Sequence, residues 1–177
     1  MENKIIIYAI AVAFLLSGCA SDEPFKGGRA KARIYKLDLD SDGIEEVVRV
    51  DDDVDQGTAA LITIMRRDKS EAANIKVPGK LVKTEYPEMK GDGFKQIAVY
   101  YDDSENRSNL VIYNFKDGKV STLASFSSKC GIEASLVPNL ARIKIGKPKP
   151  GETECPCESM SEYDLLVWTG EKFIKER

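Results

Sequence analysis

Short runs in which apolar and polar residues alternate dominate the chain from residue 32 to residue 174. A period of two over four to seven residues predicts half-buried β-strands. The first round comprises Ala32–Leu37, Glu45–Val50, Ala60–Met65 and Ala73–Val77, with a turn near Asp68-Lys69. The second comprises Lys80–Thr84, Gln96–Tyr101, Asn109–Phe115 and Val120–Leu123, where Lys116-Asp117-Gly118-Lys119 supplies a hairpin turn. A third, fainter round runs through Glu133–Val137, Ala141–Ile145 and Tyr163–Trp168, then turns at Thr169-Gly170 into Lys172–Ile174. Each round places four short strands in about fifty residues, and no amphipathic helix of useful length interrupts them. The expected fold is all-β: about three four-stranded antiparallel repeats at about 34–79, 80–129 and 130–177.

The N-terminus breaks this pattern. Met1-Glu2-Asn3-Lys4 is a short charged start, and Ile5–Leu16 is an unbroken apolar run of twelve residues. A bilayer core needs about 20 such residues, so this run reads as the apolar region of a secretory signal peptide. It ends in Leu16-Ser17-Gly18-Cys19, which resembles the lipobox of bacterial lipoproteins. That resemblance implies cleavage after residue 18, with Cys19 as the lipid-bearing first residue of a chain of 159 (177 less 18). Each buried methylene contributes about 0.8 kcal/mol, so two or three acyl chains would hold the protein on a membrane. Residues 19–33 then read as a flexible tether to a single β domain at 34–177, because they combine Gly and charge without periodicity. The expected address is the cell envelope. Ala20 and Ser21 lack a following Asp that resembles an inner-membrane retention signal. In a source with two membranes, the outer membrane facing the periplasm is therefore expected.

Composition narrows the chemistry. The formal charge is −3, from 26 Lys+Arg against 29 Asp+Glu, with both signs interspersed. No basic stripe accompanies exposed aromatics, so nucleic acid is not an expected partner. The chain contains no histidine, which removes the usual general base and the commonest transition-metal ligand.

The strongest chemical motif is Asp38-Leu39-Asp40-Ser41-Asp42-Gly43-Ile44-Glu45-Glu46. Carboxylates at positions 1, 3 and 5 can converge on one hard cation. Gly43 permits a sharp turn, and the Ile44 carbonyl can add an oxygen. An EF-hand would need a glutamate at position 12, where Arg49 stands, and a following helix, where Val47–Val50 reads as strand. Glu46, at position 9, is the better closing carboxylate. Asp-x-Asp-x-Asp-Gly-x-x-Glu opening into a strand resembles the calcium loop of FG-GAP/VCBS repeats. The resemblance implies propeller-blade-like repeats, with Asp38, Asp40, Asp42 and Glu46 as side-chain ligands of Ca²⁺ and Ile44 as a carbonyl ligand. Propellers typically have 4–8 blades. Three repeats leave open a curved stack, a compact β-sandwich or barrel, or half of a homodimeric ring, since open edges favour self-association.

The later loops depart from the first. Glu88, Lys90, Asp92 and Gln96 occupy positions 1, 3, 5 and 9 of the second. Either Lys90 neutralises Glu88 and Asp92 in place of a metal, or it points to solvent. Pro138-Asn139-Leu140 in the third lacks acids, so one calcium per chain is expected. Beyond Cys19 stand Cys130, Cys155 and Cys157. Cys155 and Cys157 are too close to bridge each other without strain. Cys130 is expected to bond to one of them, stabilising by roughly 3 kcal/mol.

Three functions compete. The leading expectation is a non-enzymatic, membrane-anchored binding or structural module with a protein or glycan partner, its contacts on Ser104–Asn109 and Lys147–Ser161. The second is a thiol- or metal-handling lipoprotein using Cys130, Cys155 and Cys157. The third is a carboxylate-based hydrolase using Asp51-Asp52-Asp53 or Asp102-Asp103.

Overall fold

Strand-forming runs become strands, and consecutive strands pair. The computed structural model describes residues 32–52, 60–149, 151 and 162–176. β1 (Arg33–Leu37), β2 (Glu46–Asp51), β3 (Ala60–Met65) and β4 (Glu71–Val77) form one antiparallel meander. β5 (Lys80–Glu85), β6 (Ile97–Asp102), β7 (Ser108–Lys116) and β8 (Lys119–Ser128) form a second. β9 (Ile132–Ser135), β10 (Arg142–Lys147), β11 (Glu162–Trp168) and β12 (Phe173–Lys175) form a third. The fold is all-β, as its periodicity predicts. Three separate four-stranded sheets stand where a single closed barrel or a two-sheet sandwich was the alternative, and among the described residues no sheet closes on itself.

The middle sheet is buried on both faces. In β6, Ile97, Ala98, Val99 and Tyr100 are all buried. Alternate residues point opposite ways along a strand. Ile97 and Val99 join Val48, Val50, Ile62 and Ile64 of the first sheet in one core. Ala98 and Tyr100 join Ile143 and Trp168 of the third sheet in another. β2, at the end of the stack, instead alternates buried Val48 and Val50 with exposed Arg49. Continuous burial along β6 therefore marks the inner sheet, and alternating burial along β2 an outer one.

Several elements differ in length from their sequence pattern. β8 extends to Ser128, well beyond Leu123, because it pairs along the whole of β7 across a register shift between Ile112 and Tyr113. Ser108 and Asn109 belong to β7 rather than to the preceding loop. The β7–β8 turn is a two-residue one with Asp117 (φ 52°) and Gly118 (φ 72°) both left-handed. That is the type I′ geometry matching strand twist.

Candidate metal centre

The loop after the first strand of each sheet lies at the same end of its meander. The β1–β2 and β5–β6 loops share one conformation, fifty residues apart (92 − 42). Left-handed backbone occurs at Ser41 and Gly43 in one and at Gly91 and Gly93 in the other. The Gly43 N–H donates to Asp38 Oδ2 at 3.0 Å, and the Gly93 N–H to Glu88 Oε1 at 2.8 Å. Asp42 Oδ1 accepts from the Ile44 N–H at 2.7 Å, and Asp92 Oδ1 from the Phe94 N–H at 3.2 Å. Leu39 and Met89 are both fully buried beneath their loops.

Successive loops also stack. The Lys95 N–H donates to the Leu39 carbonyl at 3.1 Å, and the Asn139 N–H to the Met89 carbonyl at 3.0 Å. Gly93 lies so close to Ser41 that a Cβ would collide with its hydroxyl. A Cβ on Gly91 would sit 2.9 Å from Asn139 Nδ2.

Within the first loop, Asp38, Asp40 and Asp42 each offer an oxygen within 4.8 Å of the others. Oδ1 of Asp38 and Oδ1 of Asp40 are buried with no hydrogen-bond donor. Glu46 is 5% exposed, and its Oε2 accepts the Leu39 N–H at 2.9 Å. Burial, reinforced by the Asp42 charge, pushes the Asp40 carboxyl above its ordinary range. Burial likewise pushes Glu46 up, with the charges of Asp40 and Asp42 adding to it. Arg49, on the following strand, is committed to Asp51 at 2.9 Å.

The two loops part at position 9. Gln96 Oε1 accepts the Met89 N–H at 2.7 Å, as Glu46 does for Leu39. Its amide Nε2 then donates to the Phe94 carbonyl at 3.0 Å. A carboxylate has no such proton. Ile44, the counterpart of Phe94, has no donor to its carbonyl among the described hydrogen bonds. Asp38, Asp40 and Asp42 converge, Glu46 lies outside that 4.8 Å group, and none of the four carboxylates has a proton to share. Those are the hard oxygen donors a Ca²⁺ takes at 6–8 coordination, and the residues fit such an ion. The second loop closes the same circuit with an amide.

Lys90 forms no ion pair with Glu88 or Asp92 among the described residues. Of the two alternatives for Lys90, ion pairing is thus not seen, and Gln96 satisfies the Met89 N–H and the Phe94 carbonyl of the second loop.

Residues from two other turns complete the surroundings. Asp40, Asp42, Ile44 and Glu46 line one cleft with Arg66 and Arg67 of the β3–β4 turn and Phe115 of β7. No local motif marks these partners, since they lie about 20 and 70 residues downstream and meet the acidic loop only through sheet packing.

The other candidate residues lie elsewhere. Asp51 and Asp52 are paired with Arg49 and Arg33, and Asp53 lies outside the described residues. Asp103 accepts N–H groups of Glu105 and Arg107 at 2.9 and 3.0 Å and the Arg107 Nε at 2.8 Å. Burial works against that carboxylate, but these bonds outweigh it and hold its pKa at about 2. Cys130 is disulfide-bonded, so it offers no thiolate, and its backbone N–H rests on Ser128 Oγ at 2.9 Å. Cys19, Cys155 and Cys157 lie outside the described residues. Compared with known proteins, the chain matches no family model, no curated protein and no solved structure.

Proposed function

We propose that this chain is a lipoprotein anchored through Cys19 to a membrane of the cell envelope, where it acts as a non-enzymatic binding or structural module stiffened by one calcium ion. Asp38, Asp40, Asp42, Glu46 and the Ile44 carbonyl are its ligands. The observation that carries the reading is the contrast between Glu46 and Gln96 in loops of one conformation. Gln96 hydrogen-bonds the Phe94 carbonyl. Glu46 leaves the matching Ile44 carbonyl without a donor and adds a buried negative charge beside Asp40. Buried polar groups are costly unless partnered, and charges more so. A divalent cation supplies the missing positive charge and ties both ends of the loop together.

The chain's own residues do the rest. The Gly43 and Ile44 N–H groups hold Asp38 and Asp42 in place, and the buried Leu39 fixes the loop to the first core. Affinities of about 10⁻⁴–10⁻³ M are expected for an extracellular module of this kind.

The test is calcium titration calorimetry on the full chain in detergent, with thermal melts in calcium and in chelator. One site per chain and a higher melting temperature in calcium are expected, because a ligand selective for the folded state stabilises it. Glu46→Ala should remove both effects. Glu46→Gln, which copies the second loop, should lose calcium while still folding. No heat and no shift at millimolar calcium would reduce the loop to a hairpin connection.

A further inference from the structure

The cleft beside the acidic loop carries a second chemistry in its lining. Arg66 and Arg67 are exposed there, and neither guanidinium makes an ion pair or side-chain hydrogen bond among the described residues. Asp68, the nearest acid in sequence, feels Arg66 only as a nearby charge, while its Oδ1 accepts the Ser70 N–H at 2.8 Å and the Ser70 hydroxyl at 2.6 Å. Arg66 lies against Gly118 of the β7–β8 turn, where a Cβ would collide with its Nη2. The glycine leaves room for the guanidinium at the cleft, beside the buried ring of Phe115. Two guanidinium groups outside any described ion pair thus share the lining of one opening with a set of carboxylates.

Charge decides what this opening accepts. The lining carries Asp40, Asp42, Glu46 and Asp68 against Arg66 and Arg67, and Asp38 belongs to the same acidic group. Five carboxylates against two guanidinium groups leave a formal excess of three negative charges. An anion is repelled from that cleft. A bound calcium cuts the excess to one and adds a hard cation to the same cleft. Guanidinium groups bind carboxylates bidentately, and calcium takes carboxylate oxygens. With one negative charge still in excess, a singly charged acid is repelled less than a doubly charged phosphate.

Building on the calcium reading above, we propose that this cleft binds a carboxylate-bearing ligand, its acid group held between the calcium ion and the guanidinium forks of Arg66 and Arg67, and only when calcium is present. Coupling of this kind is reciprocal, so the acid also raises calcium affinity.

The experiment uses the full chain in detergent, with galacturonate as the acid and galactose as its neutral counterpart. Calcium is titrated first by calorimetry, then each sugar at saturating calcium and again in chelator. Binding of the uronate in calcium alone is expected, with none of the neutral sugar. Arg66→Ala/Arg67→Ala should weaken uronate binding at least tenfold and leave calcium binding unchanged. Arg67→Ala alone serves if the double variant fails to fold. Equal uronate binding in chelator, or to the arginine variants, overturns the inference. So does inorganic phosphate binding more tightly than the uronate. Calcium heat without uronate heat sinks this inference and spares the calcium reading. No calcium heat sinks both.

Discussion

At the scale of single residues, one amide separates two loops of the same shape. Gln96 satisfies both the Met89 N–H and the Phe94 carbonyl, whereas Glu46 satisfies only the Leu39 N–H. Gln96→Glu should therefore destabilise the calcium-free protein by about 1–3 kcal/mol, the cost of leaving a buried group unpaired. Denaturant unfolding in chelator measures it, and an unchanged midpoint would refute the account. Asp103 sets a second expectation. Its carboxyl is held at about 2, below the unfolded value of roughly 3.9. A depressed acid contributes stability above the unfolded pKa and loses it as pH falls through the folded pKa. Asp103→Asn should thus lower the melting temperature at pH 6. The gap to the unmodified chain should close between pH 4 and pH 2.

At the scale of elements, close backbone approach decides which positions accept a side chain. Gly146 in β10 lies against the carbonyl of Cys130, with the Cys130 carbonyl carbon 2.8 Å and its Cβ 2.9 Å from where a Cβ would stand. Two of those neighbours are backbone atoms, which cannot rotate away. Its own carbonyl accepts the Ser128 hydroxyl at 2.7 Å, and that hydroxyl in turn accepts the Cys130 N–H. Gly146→Ala should cost about 1–3 kcal/mol by overpacking this junction. Calorimetric melting checks it, and a neutral result would mean that the β8–β9 corner yields more easily than its hydrogen bonds indicate.

At the scale of the whole molecule, the middle sheet belongs to both cores. Ile97 faces the first sheet and Ile112 the third, and both are fully buried. Truncating either to Ala should cost about 2–5 kcal/mol. Because β6 and β7 are paired neighbours in one sheet, loss of either core should propagate to the other. Both variants are expected to shift a single unfolding transition. Two separated transitions in either variant would show that the cores melt independently.

The sequence by itself determined the strands, their grouping into three meanders and the acidic loop. Period-two alternation and turn residues such as Asp117-Gly118 act within a few residues, so they are legible along the chain. The continuous run Ile97–Tyr100 also held the mark of the twice-covered sheet, although only the packing on both faces identifies it as such. Spacing alone suggested Asp38, Asp40 and Asp42 as one group, and their oxygens do converge. The tertiary structure decided what no local pattern encodes: the stacking of loop on loop through Lys95 and Asn139, and the meeting of Arg66, Arg67 and Phe115 with the acidic loop. It also left Lys90 without an ion pair to Glu88 or Asp92, one of the two roles open to it, while a side-chain amide satisfies the loop. Local patterns report which backbone states a segment prefers. Contacts between segments tens of residues apart follow from how buried faces choose one another, and that choice exists only once the sheets are assembled.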